Sequence, residues 1–257
     1  MRSRSFYKIP FIFLLIMMLQ ACASSSAPLS PEESKKQELI NTYVSTAGIY
    51  LKRGQLKYAK EKLDKALALD DGDVNANNVM ALYQWKIEKF DEADKYFNRA
   101  LDRASDNSET LNNYGVFLCE TNKIEESVKM FDRAVSNPLY NAKVQAYVNA
   151  GRCLEKSKEY KRAEKYYVHA LEIKPDFYAA LLQMAKLHAQ TGRLQSAKKY
   201  IGAYFSNGPK TAETIYLAMR IEEALGNEHA ASRFAKELLA RFPKSQESSW
   251  VMRRLKH

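Results

Sequence analysis

Residues 144–177 read VQAYVNAGRCLEKSKEYKRAEKYYVHALEIKPDF, and this stretch determines the fold. Small and apolar residues recur in it at helical intervals, charged residues separate them, and Pro175 stands near its end. The stretch is not unique, because a shift of about 34 residues brings similar residues of the same chain into register. The sequence is therefore a tandem array of one structural unit.

Residues of defined size occupy fixed columns of this array. The first column holds small residues spaced by 34, 34, 36, 34 and 34 positions: Ala59, Ala93, Ser127, Ala163, Ala197 and Ala231. Seven positions later stands the second column: Ala66, Ala100, Ala134, Ala170, Tyr204 and Leu238. Larger residues form the middle column between them: Leu63, Phe97, Phe131, Tyr167, Ile201 and Ala235. Small residues let two helices approach closely, and the middle column fills the space between neighbouring pairs.

Glycine and proline mark the turns of the array. Twelve positions before the first column lies a leading column: Ala47, Ala81, Gly115, Gly151, Ala185 and Met219. Gly54, Gly192 and Gly226 follow it, where a left-handed residue is expected to end the first helix of the unit. Prolines that stop the second helix recur 34 residues apart: Pro175, Pro209 and Pro243.

A 34-residue period with these columns resembles the tetratricopeptide repeat, a helix-turn-helix unit. The resemblance implies an all-α fold, a superhelical solenoid of about six repeats plus a C-terminal capping helix at 245–255. Within a repeat domain at 39–257, the expected repeats are 40–73, 74–107, 108–143, 144–177, 178–211 and 212–243. The two extra residues of the third repeat fall around 137–140, where we expect a loop without the loss of a helix.

The N-terminus has the layout of a secretory signal. Arg2, Arg4 and Lys8 precede an uncharged and largely apolar run at 9–19. This run is shorter than the roughly 20 helical residues that cross a bilayer. A removable signal peptide is therefore predicted, and an uncleaved membrane anchor is the alternative.

The apolar run ends in Leu19-Gln20-Ala21-Cys22, which resembles the lipobox of bacterial lipoproteins, although Gln20 departs from the usual small or aliphatic residue. The resemblance implies that residues 1–21 are a signal peptide and that a lipid on Cys22 attaches the chain to a membrane. Because Ala23 stands where aspartate would favour inner-membrane retention, the periplasmic face of the outer membrane is the expected location. Residues 22–38 are expected to be the lipidated cysteine and a flexible tether.

The sequence offers little for catalysis or for nucleic acid. Although the formal net charge is +10, acids and bases alternate, as in KEKLDK at 60–65, and this favours a salt-bridged helix face over one basic patch. The histidines lie in different units and form no metal-spaced pair: His169, His188, His229 and His257. We therefore predict no catalytic residue, no metal, no cofactor, no small-molecule substrate and no nucleic-acid partner.

Two cysteines lie within the repeats. Cys119 and Cys153 are 34 residues apart, but the insertion makes their repeat positions differ by two. An oxidising compartment would permit a disulfide, whereas spacing alone does not define its geometry. Cys153 stands where such repeats carry a small packed residue, and this favours a buried free thiol.

Tetratricopeptide stacks bind partners along the groove formed by their first helices, and the resemblance transfers that role to particular positions. The candidate groove residues are Asn75, Asn78, Leu82, Trp85, Asn112, Val116, Arg152, Lys186 and Arg220. An asparagine amide both donates and accepts, which suits the backbone of an extended peptide. Hydrogen bonding between helices is an equally open interpretation of these asparagines.

Arg152, Lys186 and Arg220 are spaced by 34 residues each and form a predicted basic ladder in the last three repeats. The hypothesis is that this ladder contacts an acidic partner segment. The alternative is self-neutralisation, because Glu155 and Glu223 stand three residues after the two arginines. Lys186 has no acid three or four residues away.

A lipoprotein signal, a short tether and six repeats together resemble the type IV pilus biogenesis and stability lipoproteins. That resemblance implies a pilotin, which binds the pilus secretin subunit and promotes its localisation and multimerisation in the outer membrane, in support of twitching motility. A general periplasmic scaffold lipoprotein for cell-wall enzymes or outer-membrane assembly is the alternative. A wall-acting enzyme would require a convergent catalytic pair, which the sequence does not offer.

Overall fold

The computed structural model describes residues 30–254 and is built from α-helices. The predicted signal peptide at 1–21, Cys22 and Leu255 lie outside the described residues. The thirteen helices of the described part are α1 (Pro31–Lys52), α2 (Leu56–Leu69), α3 (Val74–Lys86), α4 (Phe90–Arg103), α5 (Ser108–Glu120), α6 (Ile124–Ser136), α7 (Lys143–Lys156), α8 (Tyr160–Ile173), α9 (Tyr178–Gln190), α10 (Leu194–Asn207), α11 (Ala212–Ala224), α12 (Glu228–Arg241) and α13 (Gln246–Arg254). No strand occurs between residues 30 and 254, so the all-α prediction is confirmed. None of the helices in this range is long and apolar enough to cross a membrane.

The start of α1 differs from the sequence prediction. By its contacts the chain divides after Leu39. Pro31 begins the helix, and Ser30 and Glu33 form a reciprocal cap: the Glu33 N–H donates to Ser30 Oγ at 3.2 Å, and the Ser30 N–H donates to Glu33 Oε2 at 2.9 Å. Residues 31–38, assigned above to a flexible tether, are therefore helical.

From Ile40 onward the chain forms six helix pairs and the closing helix α13. Every residue of the first and second columns is buried, as close helix packing requires. The glycines of the leading column have a specific cause. A Cβ on Gly115 would lie 2.8 Å from the Phe131 ring, and one on Gly151 would lie 2.3 Å from the Tyr167 ring. At these two positions glycine leaves room for the aromatic ring of the middle column, which a Cβ would otherwise meet.

The turn within each pair contains one residue in the left-handed region. The three predicted glycines have φ values of +70° at Gly54, +75° at Gly192 and +75° at Gly226. The other three pairs use non-glycine residues at this point: Glu88, Asn122 and Lys158. In all six turns the next N–H donates to the carbonyl five residues back, as Glu159 does to Leu154 at 2.9 Å. This is the Schellman hydrogen bond that ends a helix.

Neither the insertion nor the C-terminal segment removes a helix of the array. The extra residues lie in the loop between α6 and α7, where Asn137 Nδ2 donates to Ser108 Oγ at 3.1 Å. Helix α13 closes the last repeat, since buried Val251 packs against the cluster that contains Met219. The Trp250 and Tyr216 ring centroids are 5.3 Å apart. The predicted capping helix is thus present, and it covers the apolar end of the stack.

Candidate functional site: two cavities between the first helices

The first helices of successive pairs enclose two separate cavities. The front cavity, of about 500 Å³, lies between α1 and α3 and is lined by Asn41, Val44, Ser45, Gly48, Ile49, Leu51, Lys52, Asn75, Asn78, Val79, Leu82 and Glu109. The central cavity, of about 490 Å³, lies between α5, α7 and α9 and is lined by Val116, Cys119, Glu120, Phe131, Asn149, Arg152, Cys153, Glu155, Lys156, Gln183, Lys186 and Gln190. Six of the predicted groove residues line these cavities: Asn75, Asn78, Leu82, Val116, Arg152 and Lys186. Concave sites of this volume suit a peptide segment with two or three inserted side chains.

The front cavity combines amides with apolar surface. Asn75 is exposed, so its amide can meet a ligand, whereas Asn78 is only 2% exposed. Leu82 and the half-exposed Ile49 supply apolar surface. The arrangement fits the predicted grip on an extended peptide, through Asn75 more than through Asn78.

A chain of amides explains why Asn78 and Asn112 are not free. Gln145 donates to Asn149 at 3.0 Å, and Asn149 donates to Asn112 Oδ1 at 3.1 Å. Asn112 in turn donates to Asn113 at 3.5 Å, and Asn113 donates to Asn78 Oδ1 at 3.3 Å. This chain links the second, third and fourth repeats, so the inter-helix interpretation holds for both predicted residues. Sequence reasoning missed Asn113 and Asn149, although they lie 36 residues apart and therefore share one repeat position.

Trp85 does not line either cavity. Its ring meets Phe117 edge-on with centroids 5.7 Å apart, and it packs on the aromatic cluster of Phe97, Tyr114 and Phe117. A predicted groove residue is thus an inter-repeat packing residue. The reason is that the third repeat presents two aromatic rings, Tyr114 and Phe117, on the helix that faces Trp85.

The basic ladder is largely neutralised. Lys186 forms an ion pair with Glu213 of the next repeat, a partner 27 residues away that no local spacing rule reveals. Arg220 Nε lies 3.4 Å from Glu223 Oε2, and Glu223 also binds Arg254 at 2.9 Å. Arg152 has no carboxylate within 4 Å among residues 30–254. The three cations therefore do not form a uniform ladder: the predicted local pair is present for Arg220, and Lys186 is paired with a residue of the next repeat.

Glu155 does not form the expected ion pair with Arg152. Its carboxylate instead accepts a hydrogen bond from the hydroxyl of Tyr167 on α8. Burial raises the pKa of Glu155, and this outweighs the hydrogen bond and the cations Lys186 and Arg152, which act in the opposite direction. Glu155 and Arg152 therefore attract each other electrostatically without forming an ion pair.

The two cysteines form a disulfide, which corrects the prediction of free thiols. Their Cα atoms are 5.6 Å apart, within the usual range for a disulfide, and the bond joins α5 to α7 in the wall of the central cavity. The difference of two repeat positions therefore does not keep the two side chains apart on neighbouring first helices. Spacing could not show this, because it leaves the rotation between repeats undefined.

Among residues 30–254 no three His, Cys, Asp or Glu side chains cluster in a way that could hold a metal ion. His188, the buried histidine of α9, lies outside both cavities and binds Glu164 of α8 at 3.0 Å. The candidate site therefore consists of shape, amides and charges, the components of peptide recognition.

Comparisons with known proteins identify both the repeat and near-full-length relatives. Residues 76–137 match the family of YpiA-like, C-terminal tetratricopeptide repeats, and residues 154–219 match a general tetratricopeptide repeat family. The type IV pilus assembly protein PilF of Pseudomonas aeruginosa is 27% identical over 239 residues, which cover 92% of this chain and 94% of that protein.

Two solved structures extend the likeness to three dimensions. The crystal structure of PilW, described as a widely conserved type IV pilus biogenesis factor, superposes with a TM-score of 0.76 at 31% identity, covering 83% of this chain and 98% of PilW. The structure of Pseudomonas aeruginosa PilF gives a TM-score of 0.74 at 25% identity, covering 86% of this chain and 99% of PilF.

Proposed function

This chain belongs to the PilF/PilW-like tetratricopeptide-repeat proteins, and on that premise we propose that it is a pilotin, a scaffold for the type IV pilus secretin. The observation that carries the proposal is the match over almost the entire length of two pilus proteins, and not over isolated repeats. A shared repeat alone would fit many scaffolds, whereas a match over nearly the whole length of both chains supports a shared role.

The mechanism proposed is binding without bond making or breaking. An extended segment of the secretin subunit lies along the first helices, with its backbone against the Asn75 amide and an apolar side chain against Leu82 in the front cavity. The walls of this cavity are preformed by helix packing, so the repeat domain itself loses little conformational freedom when the segment binds.

We further propose that Cys22 carries a lipid and that the protein resides on the periplasmic face of the outer membrane. The support is the charged start, the apolar run and the Leu19-Gln20-Ala21-Cys22 motif. A lipid confines the repeats to the membrane surface and raises the local concentration of a partner that assembles there.

The first test is a gene deletion followed by a gel that separates secretin multimers from monomers. Deletion should remove the multimers and twitching motility, and the wild-type gene should restore both. Cys22→Ala should restore them poorly and should lose the fatty-acid label that the wild type incorporates. Asn75→Lys, which adds bulk and charge in the front cavity, should fail to restore them, whereas Asn141→Lys in the exposed α6–α7 loop should succeed.

Normal secretin multimers in the deletion strain would remove the pilotin proposal. Wall or envelope defects with intact pili would instead support the alternative of a general periplasmic scaffold.

A further inference from the structure

The two cavities differ in charge. The charged side chains that line the front cavity, Lys52 and Glu109, have opposite signs. The central cavity is lined by three cations, Arg152, Lys156 and Lys186, and by two carboxylates, Glu120 and Glu155. Among the residues that line the central cavity, cations outnumber carboxylates by one, so this cavity can admit an acidic ligand.

Among the cations that line the central cavity, Arg152 is the one without an ion-pair partner in residues 30–254. Lys156 Nζ binds Glu120 at 2.8 Å, and Lys186 binds Glu213 of α11. Glu155 is held by the Tyr167 hydroxyl. Arg152, exposed and without a carboxylate within 4 Å between residues 30 and 254, is thus available to an incoming anion.

We propose that the central cavity binds an aspartate or glutamate side chain within the extended partner segment, with Arg152 as its ligand; this inference rests on the proposed function, which supplies the partner. The planar guanidinium donates two parallel hydrogen bonds to a carboxylate, which a lysine cannot do. Gln183 lines the same cavity and offers an amide donor there.

The surroundings of Arg152 also suit the rest of such a residue. Val116, Phe131 and the disulfide give the cavity an apolar wall, against which the methylene groups of the acidic side chain can pack. Because the disulfide joins α5 to α7, the wall and the guanidinium are held on helices fixed to each other.

The test measures binding of the full-length, lipid-bearing protein in detergent to the purified periplasmic region of the secretin subunit as the probe. Arg152→Gln should weaken the affinity at low salt about tenfold, as expected for the loss of a charge-assisted hydrogen-bond pair. The affinity of Arg152→Lys should lie between those of the wild type and of Arg152→Gln. The matched control is Arg233→Gln, which removes the same charge from an exposed arginine of α12 outside both cavities and should change the affinity less than twofold. Higher salt should narrow the difference between wild type and Arg152→Gln.

A double-mutant cycle identifies the carboxylate. Neutralising the acidic residues of the probe one at a time should reveal one whose loss has no added effect in Arg152→Gln. Equal affinities of wild type and Arg152→Gln would overturn the inference while leaving the pilotin proposal intact. An equal loss in Arg233→Gln, or coupling only to the C-terminal carboxylate of the probe, would also overturn it. A wild type that does not bind the probe would contradict both proposals.

Discussion

At the scale of single residues, Gly151 shows how closely the pairs are packed. Its position allows the Tyr167 ring to lie where a Cβ would approach Cε1 to 2.3 Å. Tyr167 is fully buried and its hydroxyl is bound to Glu155, so the ring cannot move aside cheaply. The repeat pattern predicted a small residue here, but only the contact with Tyr167 explains why alanine is excluded.

We expect Gly151→Ala to lower the free energy of unfolding by about 1–3 kcal/mol, because overpacking a core costs more than the better helix former gains. The control is Gly202→Ala in α10, an exposed helical glycine with nothing within 4 Å of the added Cβ. It should stabilise the protein by about 0.5–1 kcal/mol. Urea unfolding followed by circular dichroism measures both. A Gly151→Ala protein as stable as Gly202→Ala would show that the Tyr167 ring is not fixed.

At the scale of elements, His188 joins three helices. Its ring on α9 is 5% exposed, its Nε2 lies 3.0 Å from Glu164 of α8, and its centroid lies 5.1 Å from the Tyr200 ring of α10. Arg193 binds the same carboxylate at 2.7 Å. The buried Nδ1 has no hydrogen-bond partner, so a proton there would have no acceptor. Sequence spacing showed an isolated histidine but could not show this junction.

His188 should make stability depend on pH. Burial lowers the pKa of His188 below its usual 6.5, Arg193 adds to this, and Glu164 opposes it. The unfolded chain therefore takes up a proton near pH 6.5, whereas the folded protein takes it up only at a lower pH, so stability is lost as pH falls below 6.5. Urea midpoints should decrease from pH 7.5 to 5.5 in the wild type and decrease less in His188→Gln. Parallel curves for the two proteins would show that His188 does not carry this dependence.

At the scale of the whole chain, the sequence predicts the features that all repeats share and does not predict the contacts between particular repeats. Helix pairs, buried columns and glycine turns can be predicted from the local pattern, because each repeat packs in the same way against its neighbours. The pairing of Lys186 with Glu213, the amide chain through Asn113 and the disulfide each join different repeats. They depend on the rotation between repeats, which the spacing of residues does not specify. Six of the predicted groove residues line the two cavities, whereas the ion pair of Lys186 could not be predicted because its partner lies in another repeat.

The disulfide gives the last prediction, because it joins the third and fourth repeats in the middle of the stack. It closes a loop across a sequence separation of 34 residues, for which loop entropy predicts a stabilisation of about 4 kcal/mol. Repeats contact mainly their neighbours, so a weakened central junction should lower the stability of both halves. We expect the Cys119→Ala, Cys153→Ala double variant to unfold at a clearly lower urea concentration than the oxidised wild type, and reduced wild type to resemble the variant. Gel shifts with a thiol-reactive polyethylene glycol should count no free thiol at these positions before reduction and two afterwards. Free thiols in the oxidised, folded protein, together with a urea midpoint that does not change on reduction, would show that no disulfide forms and that both cysteines are packed free thiols.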